Sequence, residues 1–127
     1  MNQESTAGPQ AILVVEDEAM LLMIISETLR DAGFTVFEAS NGYAAVDLLK
    51  THPEITLLFS DIKMPGMSGY QVVEQGLTLI PNLKVVLTTG YAQDPVPSSF
   101  LEAQIEVLYK PFNFDVLPDL ARGILKA

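Results

Sequence analysis

Short apolar runs alternate with segments that favour helices along almost the whole chain, and this alternation restricts the fold more than any other feature. The run at 11–15 is continuously apolar, as in strands buried on both faces of a sheet. Further strands are predicted at residues 35–38, 55–60, 84–88 and 106–109. The segments that follow them predict helices at residues 19–32, 43–50, 70–79, 98–103 and 114–125. Such alternation predicts an α/β fold: a doubly wound, five-stranded parallel sheet with helices on both faces.

The composition is that of one folded domain. Of the 127 residues, 49% are apolar, and the mean hydropathy is +0.30, which is sufficient for a single hydrophobic core. Residues 1–10 are polar with glycine and proline near their end, so we expect a disordered leader at 1–10 and a folded domain at 11–127. No apolar run approaches the roughly 20 residues that span a bilayer, and the sequence contains no cysteine. We therefore expect a cytoplasmic domain without membrane contact, disulfides or thiolate metal ligands.

The chain is strongly acidic. It carries 16 Asp and Glu against 7 Lys and Arg, for a formal net charge of -9. Such a charge repels phosphate backbones and disfavours direct binding to nucleic acids. It becomes informative about function only where several acids meet and need a cation.

Polar or charged side chains stand where four of the five predicted strands end. They are Glu16 and Asp17 after the first strand, Asp61 at the third, Thr88 and Thr89 at the fourth, and Lys110 after the fifth. In a parallel sheet these ends share one edge, where ligands bind. Carboxylates that converge there repel one another unless a cation joins them, and Mg2+ prefers such hard oxygen ligands. A lysine and a threonine hydroxyl beside them suit an incoming phosphoryl group.

Four motifs resemble the signature of the receiver domains of two-component response regulators. They are VVEDE at 14–18, SDIKMPGMSG at 60–69, TTGY at 88–91 and KPF at 110–112. The resemblance covers about 11–126 and implies the flavodoxin-like (βα)5 receiver fold. It also implies that Asp61 accepts a phosphoryl group from a histidine kinase or a histidine phosphotransfer protein. The other implied roles are Mg2+ binding by Glu16, Asp17, Asp61 and the backbone carbonyl of Lys63, and phosphoryl binding by Thr89 and Lys110.

The resemblance further implies a signalling domain that catalyses only its own phosphorylation and dephosphorylation. Phosphorylation would act as a conformational switch read by a downstream protein. No output module follows Lys126, so the chain is either a single-domain response regulator, which we expect, or a part of a longer regulator or hybrid kinase. Its partner surfaces would include the first helix, where Met20 and Met23 are either exposed contacts or core residues.

The predicted switch region departs from the family pattern. Receivers commonly carry Tyr or Phe two residues before the end of the fifth strand, where this chain has Val107, and its aromatic residue stands at Tyr109 instead. Pro95 and Pro97 shorten the helix that usually carries the switch. We therefore expect the loop at residues 90–99 to rearrange on activation. Unchanged amide exchange in that loop after addition of beryllofluoride and Mg2+ would contradict this expectation.

Three other functions compete with the receiver interpretation. An aspartate-nucleophile phosphatase of the haloacid dehalogenase type needs a second acid two residues after the nucleophile, where this chain has Lys63. A flavodoxin-like nucleotide binder needs a phosphate loop after the first strand, where residues 16–18 are acidic. A pseudo-receiver that is never phosphorylated and serves as an interaction module stays open, although all the reactive residues are present. The single histidine, His52, is expected to be solvated at the edge opposite Asp61.

Overall fold

Five parallel strands form one sheet in this computed structural model, which describes residues 10–90, 99 and 105–126. The strands are β1 (Ala11–Val15), β2 (Thr35–Ala39), β3 (Ile55–Asp61), β4 (Lys84–Thr89) and β5 (Glu106–Tyr109). Their order across the sheet is β2-β1-β3-β4-β5. The described residues form four α-helices, α1 (Ala19–Asp31), α2 (Gly42–Thr51), α3 (Gly69–Leu79) and α4 (Leu117–Lys126). The predicted doubly wound, five-stranded parallel sheet is confirmed.

Two hydrophobic clusters cover the two faces of the sheet. The alternation of side chains along β1 divides its residues between them: Leu13 and Val15 belong to one cluster, and Ile12 and Val14 to the other. The first cluster includes buried residues of α2 and α3, and the second includes buried residues of α1 and α4. Because β1 is apolar on both faces, it is completely covered. The helices therefore lie in two layers around the sheet, as the strand pattern predicted.

The strand order places a crevice beside the end of β1. The chain leaves β1 toward β2 on one side and later returns to β3 on the other. At such a reversal the connecting loops diverge, which opens a crevice outside the carboxyl ends of the two central strands. Val15, the last residue of β1, pairs in register with Ser60, which directly precedes Asp61. The acids that follow β1 and the acid that ends β3 therefore face the same crevice.

The C-terminal helix begins differently from the prediction. A 3-10 turn spans Phe114–Val116, and the α-helix starts at Leu117. Pro118 has no backbone N–H and cannot donate to the carbonyl of Phe114; the backbone N–H of Leu117 donates to that carbonyl instead. Asn113 caps the turn by accepting a hydrogen bond from the backbone N–H of Asp115, at 2.9 Å.

Several local expectations have a definite outcome. Met20 and Met23 are 67% and 46% exposed, so the surface alternative is confirmed over the core alternative. The expectation that His52 is solvated holds only in part, because the residue is half buried and its ring packs against Phe37, with ring centroids 4.5 Å apart. None of the helices in the described part of the chain is long and apolar enough to cross a membrane. The predicted leader apart from Gln10, and the switch loop and short helix apart from Gly90 and Ser99, fall outside the described residues.

Candidate functional site

Asp61 is the last residue of a buried strand. Every residue of β3 except Thr56 is buried, and the side chain of Asp61 is only 8% exposed. The strand holds its end in place through pairing with β4, where Asp61 is in register with Thr88. The backbone N–H of Ile62 extends this pairing by donating to the carbonyl of Thr88 at 2.9 Å. The carboxylate therefore has a well-determined position at the edge of the crevice.

Two further carboxylates meet Asp61 there. One side-chain oxygen from each of Glu16, Asp17 and Asp61 lies within 4.8 Å of the others. Glu16 is buried and Asp17 is exposed, and Glu16 also accepts a hydrogen bond from the backbone N–H of Glu18 at 3.1 Å. Two of the three carboxylates are thus buried, and the third faces solvent. All three acids predicted from the strand ends are brought together.

Lys110 bridges the two buried acids. Its ammonium Nζ lies 3.2 Å from Oδ2 of Asp61 and 3.3 Å from Oε1 of Glu16. The residue directly follows β5, and its backbone N–H donates to the carbonyl of Thr89 at 2.8 Å, which continues the pairing of β4 with β5. With three carboxylates and one ammonium the group carries two net negative charges. This charge matches a divalent cation.

Burial and charge shift the ionisation of the buried members of this group. Burial raises the pKa of Asp61, an effect that Lys110 opposes and that Asp17 reinforces by like-charge repulsion. Burial also raises the pKa of Glu16, and the hydrogen bond from Glu18 works against it. For Lys110, burial acts to lower the pKa, but the charges and hydrogen bonds of Asp61 and Glu16 outweigh it, so the pKa is raised. The lysine is therefore held as a cation between two carboxylates that are costly to ionise without a further positive charge.

The loop at residues 62–68 connects Asp61 to α3. Its two ends are joined by a hydrogen bond from the backbone N–H of Gly69 to the carbonyl of Ile62, at 2.8 Å. A Cβ atom at Gly69 would lie only 2.3 Å from the backbone oxygen of Asp61, so glycine alone fits this approach. Ser68 and Gln71 form a capping box at the start of α3. Sequence reasoning missed this support, although the Ser-x-x-Gln spacing was visible at 68–71.

The other predicted residues lie on neighbouring elements. Thr89 is the buried last residue of β4, and Lys63 is an exposed residue of the loop that follows Asp61. Val107, at the position where an aromatic residue is common, is half buried in β5 and pairs with Leu87. The oxygens of the acidic group are hard donors at the distances that a single small cation can bridge. The residues present therefore fit Mg2+.

A family model described as the response regulator receiver domain matches residues 12–122. The chain belongs to this family. The chain is 29% identical over 118 residues to sporulation initiation phosphotransferase F of Bacillus subtilis, covering 91% of this chain and 94% of that protein. It is 29% identical over 122 residues to sensor kinase CckA of Brucella abortus, but spans only 13% of that protein's length and 94% of its own. A response regulator receiver protein from Sinorhizobium medicae has a similar structure, with a TM-score of 0.81 and 29% identity, covering 94% of this chain and 96% of that one.

Family membership and fold together confirm the predicted function. This receiver domain accepts a phosphoryl group on an aspartate and signals by the conformational change that follows. The family is one of signalling domains. The interpretation of the fold as flavodoxin-like is likewise confirmed.

Proposed function

We propose that Asp61 is the phosphoacceptor of this receiver domain. The observation that carries this assignment is the meeting of three carboxylates within 4.8 Å, with the ammonium of Lys110 bridging two of them. Asp61 is the member that ends a buried central strand and contacts that ammonium. Glu16 and Asp17 then act on the metal side of the site, and Thr89 and Lys110 act on the phosphoryl side.

The reaction is a phosphoryl transfer between two side chains. A carboxylate oxygen of Asp61 attacks the phosphorus of a phosphohistidine, a P–O bond forms, and the P–N bond breaks. The electron pair of that bond stays on the imidazole nitrogen, which takes up a proton. Asp61 must be ionised to attack, and the nearby ammonium of Lys110 favours the ionised form. Once the phosphoryl group is attached, Lys110 is placed to pair with its oxygens, and the Thr89 hydroxyl supplies a hydrogen-bond donor.

The residues that would hold Mg2+ are Glu16, Asp17 and Asp61, aided by the backbone carbonyl of Lys63. Bound there, the cation would offset the negative charge of the transferring group and of the acids themselves. The two net negative charges of the acidic group and its hard oxygen donors support this assignment. Glu16 is buried next to Lys110, so we expect it to act mainly by keeping the site negative, and Asp17 to be the solvent-facing ligand.

The partners follow from the chemistry of the donor. A histidine kinase or a histidine phosphotransfer protein supplies the phosphohistidine, and the similarity to a phosphotransferase and to a part of a sensor kinase supports both kinds of donor. The downstream partner is a protein that recognises the phosphorylated conformation. With a net charge of -9 the chain is not expected to contact nucleic acid directly.

Intact-mass spectrometry after incubation with acetyl phosphate and Mg2+ tests the assignment. The expected result is a gain of one phosphoryl group that is lost in Asp61→Asn and after chelation of the metal. Asp47→Asn, on the exposed face of α2, is the matched control and retains the gain. A gain that persists in Asp61→Asn would refute the assignment. No gain in the wild-type protein, even with a phosphorylated histidine donor, would favour the pseudo-receiver.

A further inference from the structure

Both ends of the loop at residues 62–68 are held in place by contacts with residues close to them in the sequence. The backbone N–H of Gly69 donates to the carbonyl of Ile62, and the capping box of Ser68 fixes the start of α3. Near its start, Met64 is buried in the cluster formed by α2, α3 and the sheet. The middle of the loop has no such anchor of its own, because Pro65 and Gly66 are exposed.

The middle of the loop is instead contacted by the first turn of α2. A Cβ atom built on Gly66 would lie 3.0 Å from Cε2 of Tyr43 and 3.5 Å from its hydroxyl oxygen, so the tyrosine ring lies directly across this glycine. Next to it, a Cβ atom on Gly42 would lie 2.7 Å from Cβ of Met67. The helix turn and the loop thus approach each other at two adjacent points. Asn41 fixes that turn by accepting a hydrogen bond from the backbone N–H of Ala44 at 2.8 Å.

Gly66 is the point where the loop most needs such support. Its φ of +80° lies in the region that other residues rarely adopt. Glycine has more backbone freedom than any other residue, so a glycine in an exposed loop is costly to order without a contact. Tyr43 is 60% exposed, and it contributes correspondingly little to the core of the domain. Its contact with the loop is therefore separable from the folding of the domain.

We propose that Tyr43 is a positioning residue for the metal side of the site. Its ring restrains Gly66, and through it the loop that carries the backbone carbonyl of Lys63 from the end of β3. The proposal rests on the Mg2+ assignment under the proposed function, because Lys63 is the ligand that the loop contributes. Tyr43 itself contacts neither the metal nor the phosphoryl group in this scheme; it acts through the loop.

Two readouts on Tyr43→Ala test the proposal. Amide hydrogen exchange over residues 62–68 is measured without metal, and Mg2+ affinity is measured by calorimetry. We expect faster exchange confined to this loop and an affinity weakened roughly threefold to tenfold, at or below the loss typical for outer-shell partners of a metal. Tyr43→Phe keeps the ring and is expected to match the wild type in both readouts. Leu79→Ala, at an exposed apolar position at the far end of α3, is the control for loss of surface area.

The outcomes separate this proposal from the one on which it rests. Unchanged exchange in Tyr43→Ala overturns the proposal, whatever the metal does. Faster exchange with unchanged Mg2+ affinity also overturns it, because the loop then moves without affecting the site. If the wild-type protein binds no Mg2+, the metal assignment fails, and the exchange data still decide whether Tyr43 restrains the loop. An equal loss of affinity in Leu79→Ala would reduce the effect to general destabilisation.

Discussion

Replacing Asp61 by asparagine is expected to stabilise the metal-free domain while it abolishes phosphorylation. The substitution keeps the size of the side chain and removes one of three charges that meet within 4.8 Å. Asp61 is buried, and its pKa is raised first by that burial. The residue that we propose as the phosphoacceptor is thus held at the expense of stability, as is common at functional sites.

The magnitude follows from the distances. At an effective dielectric constant of about 20, two unit charges 4.8 Å apart repel by about 3.5 kcal/mol. The carboxylate oxygens lie no farther apart than this, so Glu16 and Asp17 each oppose the charge on Asp61 by at least about that amount. The attraction of Lys110 at 3.2 Å is about 5 kcal/mol on the same scale. The summed repulsion by Glu16 and Asp17 exceeds the attraction by Lys110 by about 2 kcal/mol. Water around the exposed Asp17 reduces this difference, and the burial of the Asp61 charge increases it. We expect a gain of about 1–2 kcal/mol in the free energy of unfolding.

Urea denaturation followed by far-ultraviolet circular dichroism measures this gain, since the chain has no tryptophan. In EDTA, Asp61→Asn is expected to unfold at higher urea than the wild type, and Asp47→Asn at the same urea. In excess Mg2+ we expect the wild type to gain stability by binding the cation. The variant lacks one of the proposed ligands and should gain less, so the difference in stability is expected to narrow or reverse. A variant that is less stable than the wild type in EDTA would refute the electrostatic reasoning.

The same reasoning fixes the sign of the pH dependence. Because the pKa of Asp61 is raised above its usual 3.8, the folded state binds this proton more tightly than the unfolded state. The stability contributed by the proton is fully present below the unfolded pKa and is lost as the pH rises through the folded pKa. Without metal, the wild type is therefore expected to lose more stability than Asp61→Asn as the pH rises through this range. Equal pH profiles for the two proteins would contradict the expectation.

Two further substitutions probe the scaffold around the site. Gly69→Ala would place its Cβ 2.3 Å from the backbone oxygen of Asp61, so we expect a loss of at least about 2 kcal/mol in denaturation and slower phosphorylation. Gly123→Ala is the matched control, because outside the backbone of α4 and the chain neighbours no described atom lies within 4 Å of the added carbon, and it should gain about 0.5–1 kcal/mol. Similar effects of the two substitutions would show that the close approach at Gly69 is unimportant. Ser26 is fully buried in α1, and its hydroxyl has no hydrogen-bond partner among the described residues. Ser26→Ala should therefore raise the free energy of unfolding by about 1 kcal/mol. A clear destabilisation would indicate that the hydroxyl has a hidden partner.

Much of the fold could be predicted because its signals are local. The bounds of β1 and β5 agree with the prediction residue by residue, since each run ends directly before a charged residue. The helix bounds differ from the prediction by at most three residues, and the largest difference is at the start of α4, where the proline at 118 decides the first turn. The membership of Glu16, Asp17, Asp61 and Lys110 in one group also followed from sequence, because a parallel sheet collects all strand ends at one edge. The roles assigned to these residues, and to Thr89 and Lys63, stay predictions until they are tested.

By itself the sequence determined the order of strands and helices and the residue types that stand at the ends of the strands. Only the tertiary structure decided which of those residues are buried and which of them contact one another. It buries Glu16 and exposes Asp17, although the two are adjacent, and it places Lys110 between two acids that are far away in sequence. It also lays Tyr43 across Gly66, a contact for which the sequence holds no signal. Periodicity reports which face of an element is apolar, whereas these contacts depend on the positions of separate elements on the sheet, which packing of the whole core decides.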